Sequence, residues 1–323
     1  MIRMFLENSV LVLFFLPFIV GIYFLLNFQT GYYVQPTNPD FGLWSSFFSG
    51  NSWMNSFFSF GLIIINALSL NWVFNKNEFL ERNSYIVALL YVVTMSFYHS
   101  FYTLDGLLLA HLFVILMFVQ FLQIKQNIDV RMLIFNGSFF AGVAASFHPP
   151  LILGLPFFIA MILITRPFIL REFFISIVGF VLPLVYGLIF LWFEKHSLLF
   201  SFFSHSNQLK LHADFVITLV VICILFSLSI FSLRSRLQKS SLRLKNQIRV
   251  IWVFIWLSII LGSINFYYFF QIEHSSLFMI PISILLSYSF LHKNYGIFAT
   301  IVFYLTIFYS VIKFFILNPY QSM

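Results

Sequence analysis

Residues 172–193 of the chain read EFFISIVGFVLPLVYGLIFLWF, and this stretch decides the class of fold. After Glu172 it contains no charged side chain. A helix needs about 20 apolar residues to cross a hydrocarbon core of roughly 30 Å, and the stretch is long enough for one crossing. It therefore predicts a transmembrane helix.

The composition of the whole chain points the same way. Of 323 residues, 61% are hydrophobic and 8% are charged, whereas a soluble chain carries about 25% charged residues. So few charges cannot cover a water-exposed surface, which excludes a soluble protein, a disordered chain and a nucleic-acid-binding domain. We predict an all-α, polytopic integral membrane protein with membrane lipids, and no nucleic acid, among its partners.

Apolar runs separated by polar clusters predict eleven transmembrane helices in a single transmembrane domain, residues 1–323, without a soluble domain. The predicted spans are 8–27, 54–74, 84–99, 105–123, 132–147, 150–165, 172–193, 214–233, 250–270, 276–291 and 296–316.

The distribution of Lys and Arg predicts the orientation of these spans. With the N-terminus in the cytoplasm, fourteen of the 17 cations fall in inner segments, as the positive-inside rule requires. The formal net charge of +7 therefore reflects topology and does not indicate an anionic ligand. An odd number of spans places the C-terminus outside.

Acids and histidines gather on the predicted outer side, where we expect any functional site to open. His99 and Asp105 share a short turn between the third and fourth spans. A paired carboxylate and imidazole can act as a general base or contribute to a metal site. Asp105 is equally suited to cap the fourth helix, and the two roles are compatible. His111 lies about 600° of helical rotation beyond Asp105, so it does not share its face.

Two further outer residues complete the candidate catalytic set. His148 precedes Pro149, which suits the start of the sixth span because proline needs no N–H donor there. Asp40 lies in the first outer loop at the head of a Trp- and Phe-rich stretch, where a capping role is the alternative. The histidines show neither HxxxH nor HxH spacing. We therefore predict no cofactor, and a divalent metal has no support from ligand spacing.

The remaining candidates are cations. Lys195, Lys210 and Lys313 are the outer lysines that could hold a phosphate or a lipid, although Lys313 is expected to extend toward the outer surface instead. Six cations form a predicted inner basic loop that suits anionic lipid headgroups or a cytoplasmic partner, or is an ordinary inner loop. These six are Arg234, Arg236, Lys239, Arg243, Lys245 and Arg249.

The order of these features resembles a known group of enzymes. An acid in the first outer loop (Asp40), a charged inner turn at 78–83, a second outer acid (Asp105) and the small-residue run at 139–145 resemble the N-terminal module of GT-C-type glycosyltransferases. The resemblance covers residues 1–195 and leaves 196–323 as C-terminal helices. It implies a polyprenyl-phosphate-linked sugar donor on the non-cytoplasmic side, with Asp40 or Asp105 as the base.

A second resemblance concerns the source of the chain. Residues 81–84 and 166–168 resemble an uncharacterised family of polytopic inner-membrane proteins from the Bacteroidota. This implies a bacterial inner membrane. No arginine lies outside, so a donor phosphate would depend on the three outer lysines.

The sequence is compatible with three functions. An active or degenerate GT-C-like protein acting on a lipid-linked substrate should have an outward cavity that converges on Asp40, Asp105 and His148. A non-enzymatic subunit of a cell-envelope complex, in secretion, motility or lipoprotein traffic, should use these residues as helix caps. A transporter should bury polar groups at mid-depth, where the sequence offers mainly Asn66, Gln120, Asn136 and serines.

Overall fold

The computed structural model describes residues 5–6, 12–31, 41–44, 52–80, 82–124, 129–193, 213–238, 240–269, 273–290 and 296–316. Within these residues every regular element is a helix. The α-helices are α1 Val12–Thr30, α2 Ser52–Lys76, α3 Ile86–Met95, α4 His99–Tyr102, α5 Gly106–Phe121, α6 Arg131–Phe147, α7 Leu155–Thr165, α8 Leu170–Phe193, α9 Ala213–Gln238, α10 Leu242–Phe269, α11 Met279–Leu286 and α12 Gly296–Ile316. Short 3-10 helices occupy Gly42–Trp44, Pro149–Gly154, Glu273–Phe278 and Ser287–Phe290.

The all-α prediction is confirmed for the described residues, and each predicted span coincides with a helical segment. Five helices are long and apolar enough to cross a membrane, as expected for a membrane protein. They are Val12–Thr30, Met54–Lys76, Leu170–Phe193, Leu242–Ile264 and Ile297–Phe315.

Several other apolar helices are shorter than predicted. The clearest case is α3, which has 10 residues and is therefore about 15 Å long, roughly half the thickness of a hydrocarbon core. It ends at Met95, and the carbonyl of the next residue, Ser96, accepts hydrogen bonds from the side chains of Tyr102 and Lys313. All ten residues of α3 are buried, so this helix forms the centre of the packed core.

The connection after α3 also differs from the sequence prediction. The turn between the third and fourth predicted spans contains the one-turn helix α4. Similarly, the sixth span begins as a 3-10 helix at Pro149–Gly154. Pro149 and Pro150 occupy its first positions, where the N–H groups of a helix have no partner within the helix.

Helices α6 and α8 lie side by side and run in the same direction. Gly142 packs on the carbonyl of Phe180 and Gly179 packs on the carbonyl of Phe135, so neither position has room for a Cβ atom. Between them the hydroxyls of Ser138 and Ser176 are 2.8 Å apart. Small residues on the two helices therefore permit their close approach, and the partner of α6 is the helix of the seventh predicted span.

The outer faces of the bundle are apolar. Phe14, Phe18 and Phe28 of α1 are exposed, as are Phe174 and Trp192 of α8. Large apolar side chains pointing away from a packed core are expected where the surrounding medium is lipid.

Candidate functional site

Asp105 is the N-cap of α5. Its backbone is extended, and its Oδ1 accepts a hydrogen bond from the amide of Leu108 at 2.7 Å. This satisfies one of the four N–H groups that the start of a helix leaves without a partner. The capping role predicted for Asp105 is therefore confirmed.

His99 begins α4, in the turn that it shares with Asp105. Its Nδ1 lies 3.1 Å from the Thr103 hydroxyl, which also donates to the His99 carbonyl. The polar contacts seen for His99 and for Asp105 thus lead to different partners. The geometry places the two residues in one turn, as predicted, and gives each of them a local structural contact.

His148 lies at the C-terminal end of α6, with 5% of its surface exposed. Its amide donates to the Ala144 carbonyl and its own carbonyl accepts from the Leu151 amide, so its backbone joins α6 to the following 3-10 helix. The rigid turn predicted before Pro149 is present.

The segment Phe41–Trp44 packs against this end of α6. The Trp44 indole donates to the Ser146 hydroxyl at 3.0 Å, and its ring contacts Phe147 and Phe190. Gly42 has φ +60° and lies so close to the Ser146 and Phe147 carbonyls that a side chain could not be accommodated. Asp40, the residue before Phe41, lies outside the described residues, as do Lys195, Lys210 and Lys239.

The prediction for Lys313 is wrong. Instead of extending to the surface, Lys313 is fully buried, and its Nζ donates to the Ser96 carbonyl at 2.6 Å. The ammonium also lies 4.6 Å from the centre of the Phe97 ring and 5.0 Å from that of Phe314. Carbonyl and aromatic faces stabilise a cation inside the bundle, so this lysine joins α12 to the end of α3 and is closed to a phosphate.

Tyr23 of α1 lies in the same region of the core as Lys313. Its hydroxyl lies 2.7 Å from the hydroxyl of Ser310 on α12. The hydroxyl of Tyr102 donates to the Ser96 carbonyl that Lys313 also contacts. Four helices, α1, α3, α4 and α12, are thus joined by polar contacts in the core.

A second buried polar cluster surrounds His111, and no sequence pattern predicted it. The His111 ring lies between two hydroxyls, with Nδ1 2.8 Å from that of Tyr91 and Nε2 3.2 Å from that of Ser276. All three residues are buried. Tyr91 and Ser276 are distant from His111 in the chain, and only the fold brings them together.

Asn66 extends this cluster to α2. Its Nδ2 donates to the Leu108 carbonyl at 3.2 Å. The polar residues at mid-depth in the bundle are therefore used to connect α2, α3 and α5 to one another and to the 3-10 helix at Glu273–Phe278. This arrangement stabilises the packing of those segments.

The predicted inner basic loop is mostly helical. Arg234 and Arg236 lie on the last turns of α9, whereas Arg243, Lys245 and Arg249 lie on the first turns of α10. The backbone of residues 234–249 is mostly helical because the segment contains few residues that break a helix. Arg236 lies 5.8 Å from the centre of the Tyr288 ring, and Arg243 lies 4.0 Å from the Glu78 carboxylate.

No metal centre is found in the part of the chain that the structure describes, since no three His, Cys, Asp or Glu side chains there lie close enough to share an ion. The described geometry thus defines a helical bundle of the membrane-protein class, in which the described candidates His99, Asp105 and His148 occupy helix ends. Comparison with protein-family models, with curated proteins and with solved structures gives no match. The resemblances to GT-C-type enzymes and to the Bacteroidota family stay predictions.

Proposed function

We propose that this chain is a non-enzymatic, multi-pass subunit of a cell-envelope complex in a bacterial inner membrane. The observation that carries the proposal is the hydrogen bond from the Leu108 amide to Asp105. The cap accounts for an acidic residue at this position without a catalytic role. The contact between His99 and Thr103 and the burial of His148 support the same interpretation.

The proposal includes eleven crossings and a cytoplasmic N-terminus. Contacts between distant segments support this topology, because they join only ends that the positive-inside rule assigns to one side. On the predicted outer side these pairs are Trp44–Ser146, Ser59–Phe101 and Ser96–Lys313. On the predicted inner side they are Asn71–Ser84, Asn77–Gln247 and Phe79–Tyr288.

In such a complex, α8 would provide the surface for a partner helix. Val185, Leu188 and Trp192 are exposed along its C-terminal half. The same helix is held rigidly against α6 on its opposite side, by the contacts at Gly142 and Gly179. A rigid helix with one bare apolar face can pack against a transmembrane helix of another subunit.

Photo-crosslinking in cells tests this proposal. A photoreactive amino acid replaces Val185, which is exposed, or Ala141, which is fully buried, as the matched control. We expect a discrete protein adduct from position 185 and no adduct from position 141. If positions 185, 188 and 192 all give lipid adducts alone at native expression levels, the subunit proposal fails.

A GT-C-like enzyme acting on a lipid-linked substrate is the second candidate. One observation favours it: the residues that directly follow Asp40, Phe41–Trp44, pack at the end of α6 that leads into His148. Asp40→Asn distinguishes the two functions. If cells that express this variant at normal abundance lose fitness, the result would support the enzyme. Wild-type fitness would support the subunit.

A further inference from the structure

A groove of about 470 Å³ opens where α6 and α8 begin. Its volume falls within the range of small-molecule sites, roughly 300–1,000 Å³. Five of the six lining side chains are apolar and the sixth is an arginine; they are Phe135, Leu170, Arg171, Phe174, Ile175 and Val178. Leu170, Phe174 and Val178 are exposed, so the groove is open along the side of the bundle.

Arg171 is the cation at the edge of this groove, whose lining surface is almost entirely apolar. The neighbouring acid Glu172 is engaged with Arg166, 3.3 Å away, and Asp129 pairs with Arg131 at 3.6 Å. Within the described part of the chain, Arg171 has no ion pair. Its guanidinium is exposed and is therefore available to a ligand.

Arg171 and the apolar side chains beside it match the two parts of a phospholipid. A guanidinium offers parallel N–H donors that match the oxygens of a phosphate. The apolar walls formed by Phe174 and Val178 match an acyl chain.

We infer that the groove binds one anionic glycerophospholipid of the cytoplasmic leaflet, with its phosphate on Arg171 and an acyl chain along Phe174 and Val178. The assignment to that leaflet rests on the proposed topology, whereas binding itself depends only on the groove. The lipid would cover the inner half of α8 and leave Val185 and Trp192 accessible to a protein partner.

Native mass spectrometry of the full chain with added phosphatidylglycerol or phosphatidylcholine tests the inference. We expect phosphatidylglycerol to bind in preference, and Arg171→Gln to reduce its bound fraction by about fivefold, the effect of one cation near an anionic lipid. Arg234→Gln removes an exposed inner arginine outside the groove and is the matched control. Equal binding of both lipids, or equal losses in both variants, would overturn the inference.

A second measurement leaves Arg171 in place. Phosphatidylglycerol carrying a photoreactive acyl chain should label α8 between Phe174 and Val178, and Val178→Trp should suppress that labelling by filling the groove. If the label is spread equally over exposed α1 positions such as Phe14 and Phe18, the lipid is only part of the general lipid shell. Both outcomes of the labelling can be measured whether or not a protein partner binds α8.

Discussion

Two substitutions separate the capping role of Asp105 from the presence of its carboxylate. Asp105→Ala removes the acceptor for the Leu108 amide and should lower the free energy of unfolding by about 1 kcal/mol, whereas Asp105→Ser keeps a capping oxygen and should cost a few tenths at most. Thermal unfolding in detergent measures both. Glu78→Gln removes an exposed carboxylate that lies 4.0 Å from Arg243; it is the control and should change the free energy of unfolding little.

Lys313 gives a second prediction at this scale. Lys313→Ala removes a buried charged donor from the Ser96 carbonyl and should lower the free energy of unfolding by about 2–3 kcal/mol. Arg82→Ala removes an exposed cation and should cost less than about 0.5 kcal/mol. Equal unfolding temperatures for the two variants would show that the Lys313 contact does not stabilise the bundle.

The roles of individual residues could be predicted from sequence only where they depend on near neighbours. Asp105 caps its own helix, so three residues of chain were enough to indicate the cap. Lys313 and His111 instead acquire their roles from Ser96 and Tyr91, on helices whose packing no local pattern specifies. A lysine near a helix end has enough reach for the surface and for the core, and the fold decides between them.

At the scale of elements, the pairing of α6 with α8 depends on two glycines. Gly142→Ala would press a methyl group into the Phe180 carbonyl, and such overpacking costs about 1–3 kcal/mol. Gly61→Ala is the matched control, because a Cβ there meets no atom within 4 Å. It should be neutral or stabilising, since alanine favours a helix. In thermal unfolding we expect a lower unfolding temperature for Gly142→Ala and an unchanged or higher one for Gly61→Ala.

Helix positions were predictable because long apolar runs form helices in lipid whatever their partners. The positions of helix ends were harder to predict. At the end of α3, for example, the Ser96 carbonyl accepts hydrogen bonds from side chains of α4 and α12. The basic segment looked like a loop because of its charge, yet five of its six cations lie on continuing helices of the described chain.

At the scale of the whole molecule, the proposed topology predicts which positions face the periplasm. Gly31→Cys should react with a membrane-impermeant maleimide in intact spheroplasts, whereas Ser240→Cys should react only after permeabilisation. Both are built in a Cys223→Ser background, which removes the chain's single cysteine. The opposite pattern would invert the topology, and with it the leaflet assigned to the lipid groove.

The central claim is that the outer candidate residues hold the bundle together without performing catalysis, and Asp105→Ser tests it most directly. This variant keeps the helix cap and removes the carboxylate. The measurement is competitive fitness of a deletion strain that expresses the variant at wild-type abundance. We predict fitness equal to that of the wild-type gene. A fitness loss as large as that of the deletion, with unfolding temperature unchanged, would contradict the claim and identify Asp105 as a reacting group.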